Sequence, residues 1–354
     1  MKILVSALEK SSNMHLKELM KHMHESIKFR GIYSRELGHS DYDTTSNTIM
    51  GFVDALKNLR YLMRLNKDMV ALARDVDVVL LLDSSGFNLP LAKKIRKVYP
   101  TKKIYYYILP QAWVWKKGRI QTLQATCDKL FSILPFESEL YQDKEKISYV
   151  GHPLLDEIDK FVDKPVSNNR IAYMPGSRKA EISSLMPVFR QVATAIPQKK
   201  HILVVPESFD DEFIDKHYGD ISKFIVEHNS RKVLLGVEFA YICSGTATLE
   251  AGIIGSPFAL VYIAKKLDMF IARFFLKIRY IGIANIMFDK LKQTKFHNEY
   301  LQDEVNVANL IDEYKNTDKQ KFISNSKILR EYLEHGSSQT VAKHIQKTKD
   351  KNDR

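Results

Sequence analysis

Cysteine is scarce in this 354-residue chain: Cys127 and Cys243 are the only two. They are far apart, so a disulfide framework and a CxxC metal pair are excluded, and a reducing compartment is the simplest setting. Tryptophan is equally scarce, and both copies, Trp113 and Trp115, fall in one stretch, QAWVWKKGR. No window of about 18 uncharged apolar residues occurs, so no membrane-spanning helix is expected. The opening MKILVSALEKSSN is too short for a signal-peptide core and meets Glu9 and Lys10 at once; it reads as a first β-strand. The glycine-bearing strand ends fit neither a P-loop nor a GxGxxG fingerprint, which counts against ATPases and dehydrogenases. No Asp-x-Asp pair follows a strand, so the expectation is a site without metal or cofactor.

What is present is positive charge. The net charge is +12, with 54 Lys and Arg against 42 Asp and Glu. An anionic partner is expected: nucleic acid, a phosphorylated substrate or an acidic membrane surface. The cations are dispersed, and no RRM, KH or helix-turn-helix signature appears, so nucleic acid is not expected.

Short apolar runs alternate with helical periodicity: ILVSA, VDVVLLLD and KKIYYYIL in the first half, then RIAYMPGSR, HILVVP, KVLLG, EFAYICSGT and SPFALVY. Continuous apolar strands between helices indicate α/β architecture with parallel sheets covered on both faces. The polar stretch DEIDKFVDKPVSNNR divides the pattern into two Rossmann-like halves. The expected domains are 1–160 and 167–325, with the nucleotide features in the second. Residues 326–354 form a helical segment that packs back on the first domain or on a partner chain.

Ligands of open α/β sheets sit at the carboxyl ends of strands. Pro175-Gly176-Ser177-Arg178 joins a strand to a helix and has the composition of a phosphate site: a turn glycine, free amides and a guanidinium fork. Ser244-Gly245-Thr246 repeats the arrangement, and Glu250, four residues on, is placed to accept ribose hydroxyls. Plain capping by Ser244 or Thr246 is the alternative. In LLLDSSGFN, Asp83 ends an apolar strand and is a candidate general base, while Asn88 suits the cap of a helix at Pro90. The loop from Glu9 through Ser11 to Asn13 shares that edge, and Ser11, Ser12 or Asn13 is expected to cap its helix. His152, in GHP, is a candidate for titration near neutrality or for a structural role. Trp113, Trp115, Lys116 and Arg119 follow a strand, which puts them at the cleft edge and favours a recognition surface over buried packing alone.

The ordered series LEKSSN, LLLDSSGFN, LPQAWVWKKGR, LPFE, GHP, MPGSRKAEI, SGTATLEAG and IANI…NEYLQDE resembles the lipid-A-disaccharide synthase family and spans most of the chain. Leu8, Ser12, Asn13, Gly86 and Ala284 depart from its pattern, mostly on the acceptor side. The resemblance implies a GT-B fold, two Rossmann-like domains facing across a cleft, and an inverting, metal-independent glycosyltransferase. The implied donor is UDP-2,3-diacylglucosamine, and the implied acceptor is 2,3-diacylglucosamine 1-phosphate. The resemblance makes 1–160 the acceptor-side domain, with Glu9, Ser11, Asn88, Trp113, Trp115, Lys116, Arg119 and His152 as acceptor or cleft residues. Asn285 and the stretch Glu299 to Gln302 take donor-side or structural roles by the same resemblance. Another UDP-sugar transferase with a different lipid acceptor, or a non-catalytic UDP-sugar-binding protein, is the alternative.

Acylated substrates imply a membrane visit and a cytoplasmic protein peripheral to the inner membrane. In KKLDMFIARFFLKIRYIGI, one helical stripe carries Phe270 and Phe274 with Lys277 nearby, suited to an anionic interface. Core packing of that stripe is the alternative. A homodimer through the C-terminal segment is a further expectation.

Overall fold

The computed structural model describes residues 1–44, 59–111, 118–243, 245–263 and 279–352. The chain forms two compact units, one comprising Met1–Glu157 with Leu333–Arg354 and the other Ile158–Tyr332. The boundary falls in the polar stretch that interrupts the strand-helix alternation.

Unit 1 contains β1 (Lys2–Ser6), α1 (Lys10–Lys21), β2 (Lys28–Ile32), α2 (Leu59–Leu72), β3 (Val78–Leu82), α3 (Ser85–Val98), β4 (Lys103–Tyr107), α4 (Gly118–Thr126), β5 (Lys129–Ser132), β6 (Ile147–Tyr149) and α5 (Pro153–Glu157). Its strands pair in parallel in the order β2-β1-β3-β4-β5-β6. Successive residues serve opposite faces. Leu4, Val79, Leu81 and Tyr106 enter one core, while Ile3, Val5, Leu80 and Tyr107 enter the other. Burial on both faces explains why these strands read as unbroken apolar runs.

Unit 2 contains β7 (Arg170–Met174), α6 (Lys179–Ala195), β8 (Lys200–Val204), α7 (Asp211–Tyr218), β9 (Phe224–Glu227), α8 (Ser230–Leu235), β10 (Phe239–Cys243), α9 (Thr246–Ile254), β11 (Phe258–Tyr262), α10 (Ile283–Lys292), β12 (Glu299–Leu301), α11 (Val307–Asn316) and α12 (Lys319–Leu333). The order here is β12-β11-β10-β7-β8-β9, again parallel. The last helix, α13 (Ser337–Asn352), packs on α1 and α5 of unit 1. Its start is held by Asp156, whose two carboxylate oxygens accept from Gly336 N and Ser338 N, both at 2.7 Å.

One expected strand is a helix. KVLLG lies in α8, where Asn229 caps the first turn by accepting from Lys232 N at 3.0 Å. Three apolar residues do not distinguish a strand from a buried helical turn. The strand at that point in the sheet is β9, FIVE, whose exposed Ile225 breaks the apolar pattern.

Both sheets have a point where strand order reverses. In unit 1 it lies between β1 and β3, and in unit 2 between β7 and β10. A crevice opens outside the carboxyl ends at such points. The chain reaches the first with the Glu9 and Asp83 loops and the second with the Gly176 and Gly245 loops.

Candidate active site

At the switch point of unit 1, β3 runs into two consecutive left-handed residues, Asp83 (φ 49°) and Ser84 (φ 39°). Such conformations cost on the order of 1–3 kcal/mol per residue and persist where neighbours over-determine them. The neighbours are identifiable. Asp83 N donates to Tyr107 O at 3.1 Å. The Asp83 carbonyl accepts from the Tyr106 hydroxyl at 2.5 Å and from Asn88 Nδ2 at 2.9 Å. Asn88 Nδ2 also reaches Leu82 O at 3.0 Å, and its Oδ1 accepts from Ser6 Oγ at 2.6 Å.

Asn88 is therefore not a helix cap. It is fully buried within α3, which begins at Ser85 with Ser84 in the cap position. It braces the lip from below and is not an acceptor-side contact. Sequence reading put the helix start too late because Pro90 looked like a first-turn residue.

The neighbouring loop also differs in detail. Glu9 occupies the cap position of α1, and Ser12 Oγ accepts from Glu9 N and donates to Glu9 O, both at 2.9 Å. Asn13 is buried inside the helix. Its Nδ2 donates to Ala7 O at 3.0 Å and its Oδ1 accepts from Ser34 N at 2.7 Å, tying the ends of β1 and β2 together. Ser11 remains partly exposed. The two loops meet where Ser84 Oγ donates to Glu9 Oε1 at 3.0 Å.

This setting shifts the Asp83 carboxyl upward to about 6. Desolvation is the larger cause and the Glu9 charge the next; the Ser84 amide and His15 oppose them. At neutral pH the group is ionised yet more basic than a free carboxylate, which suits a general base.

His152 does not titrate near neutrality. It is buried, and desolvation, with a smaller contribution from His15, pushes it down to about 3. Its Nδ1 accepts from Leu154 N at 3.3 Å and its own amide donates to Glu334 O at 3.1 Å, a structural position at the start of α5. Tyr106 and the pair His15 Nδ1–Glu157 Oε1 (2.5 Å) gave no signal in sequence. Tyr106 is one of three consecutive tyrosines, and the pair is 142 residues apart. Trp113, Trp115 and Lys116 lie outside the described residues. Arg119, partly exposed on α4, is near enough to Tyr106 for its charge to act on that hydroxyl.

At the switch point of unit 2, Gly176 has φ 93°. A Cβ there would lie 2.6 Å from Glu181 Oε2 and 3.3 Å from Cys243 Sγ, so only glycine lets the loop close against the end of β10. Ser177 is exposed. Arg178 stands at the cap position of α6 with its side chain 78% exposed, and its Nη1 donates to the buried Glu181 at 2.9 Å. The guanidinium is thus steered from one side and presented to solvent on the other.

The adjacent loop has Gly245 (φ 137°) as the cap of α9, with open space beside it. Thr246 is consequently the first helical residue rather than the cap, and it is exposed. Thr248 Oγ1 donates to Gly245 O at 2.8 Å and steadies the turn. Ser244 lies outside the described residues. Glu250 is already engaged: Oε1 accepts from Arg231 Nε at 2.6 Å and Oε2 from Ser230 Oγ at 3.3 Å.

Asn285 is fully buried and saturated. Its Nδ2 donates to His297 O and Glu299 Oε1, and its Oδ1 accepts from Phe296 N and His297 N. It is a clamp, not a donor-binding contact. Glu299 in turn accepts from Ile281 N and Gly282 N, both at 2.9 Å, at the start of α10. Phe270, Phe274 and Lys277 lie outside the described residues.

A family model, Lipid-A-disaccharide synthetase, matches residues 3–351. The chain belongs to this family. Lipid-A-disaccharide synthase of Helicobacter pylori (strain G27) is 46% identical over 352 residues, covering 96% of each chain. That of Campylobacter jejuni (strain RM1221) is 41% identical over 362 residues, covering 96% of this chain and 98% of the relative. Among solved structures, Os79 from O. sativa in complex with UDP aligns with TM-score 0.63 at 12% identity over 98% of this chain and all of that one. UDP-GlcNAc 2-epimerase from Neisseria meningitidis bound to UDP-GlcNAc aligns with TM-score 0.60 at 11% identity, with the same coverage. At such identities the likeness concerns the fold, which is GT-B. As a lipid-A-disaccharide synthase family member, the chain is a glycosyltransferase of lipid A biosynthesis.

Proposed function

We propose that this glycosyltransferase moves 2,3-diacylglucosamine from UDP to the 6-hydroxyl of 2,3-diacylglucosamine 1-phosphate, giving a β(1→6) disaccharide 1-phosphate and UDP. The carrying observation is that each sheet reverses its strand order where the candidate residues gather. Asp83 and Glu9 end adjacent strands of unit 1, and Gly176–Arg178 and Gly245–Thr246 end adjacent strands of unit 2.

The chemistry follows from the residue types. Asp83 takes the proton of the acceptor hydroxyl as its oxygen attacks the anomeric carbon. The bond from that carbon to the UDP oxygen breaks on the opposite side, so configuration inverts. Negative charge grows on UDP, and Arg178 with the first amides of α6 and α9 stabilises it. Glu250 accepts from the ribose hydroxyls with the lone pairs that Arg231 and Ser230 leave. Arg119 serves the acceptor side.

The same reading puts the protein on the anionic cytoplasmic face of the inner membrane. Supporting it, Tyr61 and Met63 on α2 are 37% and 60% exposed among the exposed cations Arg60, Arg64 and Lys67. Apolar side chains flanked by cations favour such a surface. No described helix is long and apolar enough to cross a membrane.

The test is to incubate purified protein with both acylated substrates and follow disaccharide and UDP. Wild type is expected to form both, and Asp83→Ala to form neither while still binding UDP. Near-normal turnover by folded Asp83→Ala removes Asp83 from the mechanism, and turnover only with another lipid acceptor replaces the acceptor named here.

A further inference from the structure

Glu250 is a donor-side candidate whose charge is already paired. Arg231 and Ser230 open α8, after β9, while Glu250 lies one turn into α9, after β10. The two helix starts meet through Arg231 Nε–Glu250 Oε1 at 2.6 Å and Ser230 Oγ–Glu250 Oε2 at 3.3 Å. The side chains are 26% (Arg231) and 14% (Glu250) exposed, so the pair sits at a half-open rim rather than in free solvent.

We propose that Arg231 is a positioning residue of the donor site, holding the Glu250 carboxylate in the one orientation that meets a ribose diol. This rests on the reading of Glu250 as the ribose acceptor. A carboxylate has about four acceptor directions, of which Arg231 and Ser230 use two, one on each oxygen. The remaining two, again one on each oxygen, match a vicinal diol, which donates two hydrogens side by side. An unbraced glutamate has three rotatable bonds and spends most of its time elsewhere, so the diol must order it on binding. The Arg–Glu bond supplies that order beforehand, and the guanidinium fixes the carboxylate plane more narrowly than an ammonium does. Arg231 is the better anchor of the two because its bond is short and charge-assisted, whereas the Ser230 bond is long.

The bracing sets a sign. A ligand lacking one ribose hydroxyl leaves part of the prepared carboxylate unpaired, so UDP is preferred over 2′-deoxy-UDP. Loss of Arg231 weakens that preference without touching the phosphates or the base.

Calorimetry with UDP and 2′-deoxy-UDP on wild type, Glu250→Gln, Arg231→Gln, Arg231→Lys and the double variant decides it. Arg231→Gln is expected to lower the UDP preference about tenfold, the worth of one well-aligned charge-assisted bond. Arg231→Lys should fall between, and the double variant should be no worse than Glu250→Gln, because both act through one carboxylate. Thermal melting checks folding, and Arg231→Lys carries the test should Arg231→Gln not fold. If Glu250→Gln keeps the full preference, the ribose reading of Glu250 fails and the inference falls with it. If Glu250→Gln loses it but Arg231→Gln and Arg231→Lys keep it, only the role of Arg231 is overturned. Equal weakening toward both nucleotides also overturns it, since a merely structural arginine acts that way.

Discussion

Asp83→Asn should abolish turnover and stabilise unit 1. The carboxyl is moved from its ordinary 3.8 to about 6, chiefly by desolvation and then by the Glu9 charge. At 1.36 kcal/mol per tenfold change in proton affinity, the ionised form costs about 3 kcal/mol of folding free energy. Asp83 is partly exposed, and solvent screening brings this to about 2 kcal/mol. The sign follows from linkage. A carboxyl raised on folding is harmless below its unfolded value, and its cost grows as pH rises through about 6. Asparagine carries no charge, still accepts from the Ser84 amide, and tolerates the left-handed backbone at φ 49°. The variant should therefore gain about 2 kcal/mol at pH 8 and under about 1 kcal/mol at pH 4. Urea unfolding followed by circular dichroism measures this. A variant no more stable than wild type at pH 8, or a gain that does not depend on pH, refutes the electrostatic account of this lip.

Three further outcomes are expected. The pH profile of kcat/KM should fall about tenfold per unit below pH 6, and Glu9→Gln should move that limb to lower pH by removing a like charge; an unmoved limb separates Glu9 from Asp83. Gly176→Ala should destabilise unit 2 by ~2–3 kcal/mol and raise the UDP Kd at least tenfold, because its methyl meets Glu181 at a left-handed φ; calorimetry and melting check both. Glu238 is buried and accepts from Asn168 N, Asn169 N, Lys199 and Tyr314, which together overcome desolvation and hold it at about 2. Its contribution is present above pH 4.5 and is lost as pH falls through about 2. Glu238→Gln should cost unit 2 about 2–3 kcal/mol at pH 7 and leave turnover intact, as it precedes β10 rather than following it; acid titration by circular dichroism is the check.

Local chemistry written into short stretches was legible without the structure. The apolar runs of β1, β3, β4, β7 and β10 announce parallel strands, because burial on both faces leaves no polar alternation. Gly176 and Gly245 announce tight strand-to-helix turns, because a left-handed φ penalises any Cβ. Asp83 stands out as a carboxylate ending an apolar strand. Weak strands were not legible: β2 (KFRGI), β9 (FIVE) and β12 (EYL) mix polar and apolar residues, and KVLLG was too short to separate strand from helix.

What tertiary structure decided is what each polar side chain is used for. Sequence nominated Asn88, Asn285 and His152 by position, but burial and partners distant in sequence make them braces. It proposed Glu250 for ribose without revealing that Arg231, 19 residues earlier, already holds it. It placed Asp83 and Glu9 in the same half, yet only the β1–β3 pairing sets their loops side by side and couples their charges. The order of strands in a sheet depends on crossover connections, which local residue pattern does not encode. The basicity of Asp83 depends on desolvation, which exists only once the chain has closed around it.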